Sequence, residues 1–97
     1  MERVRILKFY PFEVPHKKGS LVAYFDIILY GEILIKNVKL IRNVYGGLFV
    51  AMPSIQIKDK NIPLVEIISK DLNEEIRRKL VDFYKERMKE MENEKVD

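Results

Sequence analysis

Catalytic chemistry has little to work with in this chain. The 97 residues contain no cysteine and a single histidine. Disulfides, thiolate zinc sites and cysteine nucleophiles are therefore excluded. His16 sits between Pro15 and Lys17 with no carboxylate close to it in sequence, so it reads as a solvated loop side chain. Ser20, Ser54 and Ser69 occupy no strand-to-helix nucleophile elbow. Gly46-Gly47 lacks the spacing of a phosphate-cradling loop. Asp26, Asp59 and Asp71 are too dispersed to form a hard-cation site. The expectation is a protein that is not an enzyme and uses no metal, cofactor or small-molecule substrate.

The cations offer more. Net charge is +3, and residues 1–68 carry ten Lys/Arg against six Asp/Glu while residues 69–97 carry eight against nine. The basic surplus thus lies in the front two-thirds of the chain. Affinity for a polyanion comes largely from lysines and arginines that displace counterions from phosphates. The candidates are Lys17 and Lys18 in a first loop, Arg42 in a turn, Lys58 and Lys60 in a polar stretch, and Arg77, Arg78, Lys85 and Arg87 on a helix. Against this, the helix carries nearly balanced charge. Glu74–Arg78 and Glu75–Lys79 have the spacing of i,i+4 ion pairs. Tyr24, Tyr45 and Tyr84 could stack on unpaired bases, but they suit a core or an interface equally well.

These residues must be positioned by an α+β fold. Val4, Ile6 and their neighbours read as a first strand ending near Tyr10-Pro11, followed by a Pro- and Lys-containing loop up to Ser20. Leu21–Tyr30 is rich in β-branched and aromatic residues and reads as a long strand. A turn at Tyr30-Gly31-Glu32 leads to a returning strand, Ile33–Ile41. After a second turn through Gly46-Gly47, Leu48–Met52 forms a short apolar strand stopped by Pro53. Residues 55–62 read as a polar excursion and Leu64–Ile68 as one more short strand. From Asp71 the period changes: Ile76, Leu80, Phe83, Tyr84, Met88 and Met91 fall on one helical face, with Asp71 and Glu74 placed for a capping box. The chain is thus expected to be one domain: an antiparallel meander of four to five strands over about residues 3–68, an amphipathic helix over about 72–91, and a frayed tail, 92–97. No apolar run is long enough to cross a membrane and no leader follows Met1, so no membrane partner and a cytoplasmic location are expected.

Gly47-Leu48-Phe49-Val50-Ala51-Met52-Pro53-Ser54 is the most distinctive segment. It resembles the GLFVAMPS signature of the SpoVG family, bacterial regulators of stage V sporulation and septation. The likeness extends from Val4-Arg5-Ile6, similar to the family's opening strand, through Ala23–Ile41 to the helix entry at Asp71–Ile76 and Tyr84. It implies a homodimer that binds DNA, and in some members RNA, and regulates without catalysis or cofactor. Three departures stand out. The Pro11–Ser20 loop is longer than the family pattern, Ile55-Gln56 replaces a Lys-Arg pair, and Glu66-Ile67 replaces His-Pro. The competing expectation is a protein–protein adaptor that works through its sheet edge and the Met88/Met91 end of the helix.

Overall fold

The computed structural model describes residues 2–16 and 19–94, and the side chains of residues 14–16 and 92–94 lie outside that description. Strands β1 (Val4–His16), β2 (Gly19–Leu29), β3 (Ile33–Asn43) and β4 (Leu48–Ala51) form an antiparallel sheet in sequential order. Strands β5 (Ser54–Ile57) and β6 (Lys60–Pro63) pair into a separate two-stranded sheet, and helix α1 runs Lys70–Glu94. The expected α+β architecture, a meander followed by one C-terminal helix, is what the chain forms.

Local chemistry sets the turns. Tyr30 and Gly31 both take positive φ, 55° and 68°, and Glu32 N–H donates to the Leu29 carbonyl at 3.0 Å. Two left-handed residues give a primed turn, whose twist matches the strands it joins. At the β3–β4 turn the Asn43 Oδ1 accepts from the N–H groups of Tyr45 and Gly47, each at 2.9 Å. Such side-chain acceptors replace ladder bonds where the chain reverses.

One sheet face packs against α1. Phe25, Ile27, Val38 and Leu40 are fully buried, as are Ile76 and Leu80 from the helix, and Tyr84 is nearly so. The rings of Phe9, Phe25 and Phe83 meet at centroid separations of 5.1–6.0 Å in tilted and edge-on arrangements. Apolar contacts of this kind are the main favourable term in folding.

Four details differ from the sequence expectation. First, β1 continues past Pro11 to His16, because β1 is an edge strand, where proline is tolerated. Second, the supposed excursion is the β5–β6 hairpin, closed by a turn at Lys58-Asp59 with Lys58 at φ 57°. Third, Leu64–Ile68 forms no strand. Its alternation is real, with Val65 and Ile67 packed on the core and Leu64 and Ile68 exposed, but no neighbouring strand pairs with it. Fourth, the helix begins before Asp71. Ser69 is the cap, its Oγ accepting the Leu72 N–H at 3.1 Å. At the far end the helix runs through Glu94, beyond the expected fraying point at Glu92; residues 95–97 lie outside the described residues.

Candidate nucleic-acid interface

The nine basic residues singled out by sequence fall into three groups. Lys17 and Lys18 lie outside the described residues.

Arg42, Arg77 and Arg87 each meet a carboxylate. Arg42 comes from the end of β3; one guanidinium nitrogen bonds Glu13 Oε1 at 2.9 Å and the other donates to the Tyr84 hydroxyl at 3.2 Å. It ties the sheet to the helix. Arg77 grips Glu74 through two contacts, 2.5 and 3.0 Å. The hydrogen bond from Arg77 holds the Glu74 carboxyl below its usual range, and the same bond raises the arginine. Arg87 lies 3.7 Å from Glu90 and 5.8 Å above the Phe83 ring. All three pairs are partly or largely exposed, and solvent and salt screen such pairs so that they contribute little to stability. A phosphate can replace the carboxylate at little cost.

Lys58, Lys60, Arg78 and Lys85 are exposed, and no carboxylate pairs with them among the described residues. Arg78 and Lys85 are seven positions apart on α1, which puts them on one side of the helix two turns apart. Lys89 extends that stripe. Lys58 and Lys60 occupy the tip of the β5–β6 hairpin, on a different element.

The i,i+4 pairs suggested by spacing are replaced by other partners. Glu74 bonds Arg77 instead of Arg78, Glu75 bonds Arg3, and Lys79 bonds Glu2. Asp71 also receives Arg3, at 3.0 Å. The segment before β1 is thereby fastened to the helix, a long-range link that no local spacing could reveal. The hydrogen bond from Lys79 holds the Glu2 carboxyl below its usual range. The hydrogen bonds that Arg3 donates to Glu75 and Asp71 push its guanidinium above its already high value.

A second basic surface escaped the sequence reading. Phe9, Phe25, Val38 and Leu40 point toward the helix, so their strand neighbours project from the opposite face. Cross-strand register then aligns Tyr10, Tyr24, Lys39 and Ala51 in one row across all four strands. Arg5 and Lys8 stand on the same face of β1, both exposed. The signal was present as alternation, but irregularities between Ile6 and Lys8, Pro11 and Val14, Leu21 and Ala23, and Phe25 and Ile27 shift its phase. Asp26 stabilises one of them. Nearly buried, its Oδ1 accepts the N–H of Asn37, whose φ is 61°, at 3.1 Å.

A groove of about 270 Å³ runs beside β4 and is lined by Phe49, Val50, Lys70, Asn73, Glu74 and Arg77. It holds charge of both signs and no histidine. No group of three or more His, Asp or Glu side chains is placed to hold a metal ion among the described residues. Among the described residues no helix is long and apolar enough to span a membrane.

No curated protein and no solved structure matches the chain. The family model of SpoVG matches residues 2–86, a span that takes in the whole four-stranded sheet, the hairpin and most of α1. With the GLFVAMPS segment forming β4 and the chain beyond it, this places the protein in the SpoVG family.

Proposed function

We propose that this protein is a nucleic-acid-binding regulator that acts as a homodimer without catalysing a reaction. Family membership points to a regulator connected with sporulation or septation. The observation that carries the binding reading is the set of exposed cations without carboxylate partners among the described residues: Arg78 and Lys85 on one side of α1, with Lys58 and Lys60 on the hairpin. Phosphate contacts of this kind fix position and supply affinity but carry no base information. DNA and RNA both satisfy them. Arg42, Arg77 and Arg87 add cations that can exchange a surface carboxylate for phosphate.

Self-association has its own support. Ile55, Ile57, Ile62 and Leu64 are 41–64% exposed on or beside the β5–β6 hairpin. A lone two-stranded hairpin is marginal in water, and an exposed apolar patch of this type marks an interaction surface. A second copy placing the same patch against it forms a closed twofold contact. The free edge of β4 offers a further seam.

An anisotropy titration with labelled DNA and RNA at low salt tests the first reading. Arg78→Ala combined with Lys85→Ala is expected to weaken binding and to flatten its salt dependence by about one to two units of slope. No binding to either polymer at low salt defeats the proposal. Ile57→Lys with Ile62→Lys is expected to give a folded monomer by light scattering. Equal mass for the variant and the parent removes the hairpin from the interface.

The same hairpin favours the adaptor reading, in which its exposed isoleucines meet a different protein. Stable capture of one partner by nuclease-treated protein, together with no nucleic-acid affinity, selects that reading.

A further inference from the structure

We infer that the sheet face turned away from α1 is a second nucleic-acid surface, specific for an unpaired polynucleotide segment whose bases stack on Tyr10, Phe12 and Tyr24. The inference rests on the nucleic-acid reading but concerns the opposite side of the molecule from Arg78 and Lys85.

Three observations carry it. Tyr10 and Tyr24 face each other across β1 and β2, and the Phe12 ring stacks near-parallel on Tyr24 at 6.4 Å and 27°. Tyr10 is 44% exposed and Phe12 54%, so these rings lie open on the surface instead of filling a core. Cations flank the rings: Lys39 continues the Tyr10–Tyr24 row onto β3, and Lys8 and Arg5 precede Tyr10 along β1. Asp26, the cross-strand partner of Lys8, is 6% exposed and engaged with the Asn37 N–H, and Glu2, close to Arg5, is bonded to Lys79.

Open aromatic rings beside cations that form no ion pair among the described residues match the two needs of a single strand. Its bases present π-faces to stack, and its phosphates need positive charge along their path. A duplex satisfies only the second need, because its bases are already stacked on one another. A four-stranded sheet with surface aromatics is a general geometry for splayed bases. Charge complementarity also argues against an apolar protein partner here, since such a partner would leave Lys8 and Lys39 desolvated and unpaired.

The test is anisotropy with labelled oligo(dU), oligo(rU) of equal length, and a duplex. The protein is compared as parent, Tyr10→Ser, Phe12→Ser and Tyr10→Phe. Ring removal is expected to weaken single-strand binding tenfold or more and duplex binding less than twofold. Tyr10→Phe keeps the π-face and is expected to restore single-strand affinity to within threefold. The tighter of the two oligomers identifies the preferred sugar.

Equal losses for single strand and duplex, or no loss with either serine variant, overturn the inference. In that event an intact response to Arg78→Ala with Lys85→Ala still leaves the broader binding reading standing. No binding of any polymer by the parent defeats both. A change of oligomeric state in Tyr10→Ser, seen by light scattering, shows the face to be covered by a second copy and also overturns the inference.

Discussion

Replacing Ile76 by alanine tests the packing that presents the helix. Ile76 is fully buried between α1 and the sheet, in the cluster that includes Phe25, Ile27, Leu40 and Leu80. Alanine removes three carbons, which at about 0.8 kcal/mol each gives about 2.4 kcal/mol of lost transfer free energy. The cavity left behind adds roughly 1–2 kcal/mol, for a total of about 4 kcal/mol, inside the range known for such changes. A stable domain has only about 5–15 kcal/mol in all. The melting temperature should therefore fall by roughly 15–30 °C, using about 4–8 °C per kcal/mol for a chain of this length. Urea unfolding followed by circular dichroism, at one fixed protein concentration, gives the free energy directly. Ile68→Ala supplies the contrast: Ile68 is 94% exposed just before the helix, and its loss should change stability by less than about 0.5 kcal/mol. If Ile76→Ala costs under about 1 kcal/mol, or no more than Ile68→Ala, the helix does not rest on the sheet as described. Arg78 and Lys85 are then not held on its outer side either.

Four further outcomes follow, three from single positions and one from pH. Asp26→Ala should cost about 1–3 kcal/mol by leaving the Asn37 N–H without its acceptor, whereas Asp26→Asn recovers part of that; denaturant midpoints of the two variants check it. Gly19→Ala should prevent a cooperative thermal transition, because a Cβ there lies 2.1 Å from the Arg42 carbonyl oxygen at φ 137°. Gly31→Ala, at φ 68° with nothing within 4 Å, should cost only about 1 kcal/mol in the same assay. Acid should weaken the fold in a defined direction. Glu74 and Glu2 are held below the usual carboxylate value of 4.5 by Arg77 and Lys79. Their contribution is present above that value and is lost as pH falls through the lower folded-state values. Melting temperature against pH should be flat near neutrality and drop below 4.5, less steeply in Glu74→Gln with Glu2→Gln.

The parts of the fold that depend on short-range periodicity were legible in the sequence. Ile76, Leu80 and Tyr84 announced the buried helix face by spacing alone, and the turn at Tyr30-Gly31 was evident from its glycine. What stayed hidden depends on neighbours distant in sequence. Pro11 ends a strand in isolation but not on a sheet edge, where its missing N–H faces no partner. The hairpin was masked because Gln56, Lys58, Asp59, Lys60 and Asn61 are polar, while Ile55, Ile57 and Ile62 stay exposed instead of entering a core. Residue type identified the cations, but their availability is a tertiary property. Spacing gave Arg78 a partner in Glu74, and Arg77 took it. Arg42 turned inward to Tyr84. The open sheet face was concealed by the irregularities that displace alternation on β1 and β2.

The salt dependence of the parent protein's nucleic-acid affinity reports most directly whether cations on separate elements engage a polyanion. With Lys58, Lys60, Arg78 and Lys85 each contacting one phosphate, the log–log slope for duplex DNA is expected near −3.6, from about −0.9 per contact. Affinity that is absent, or that does not change between ~50 and ~200 mM salt, contradicts the account.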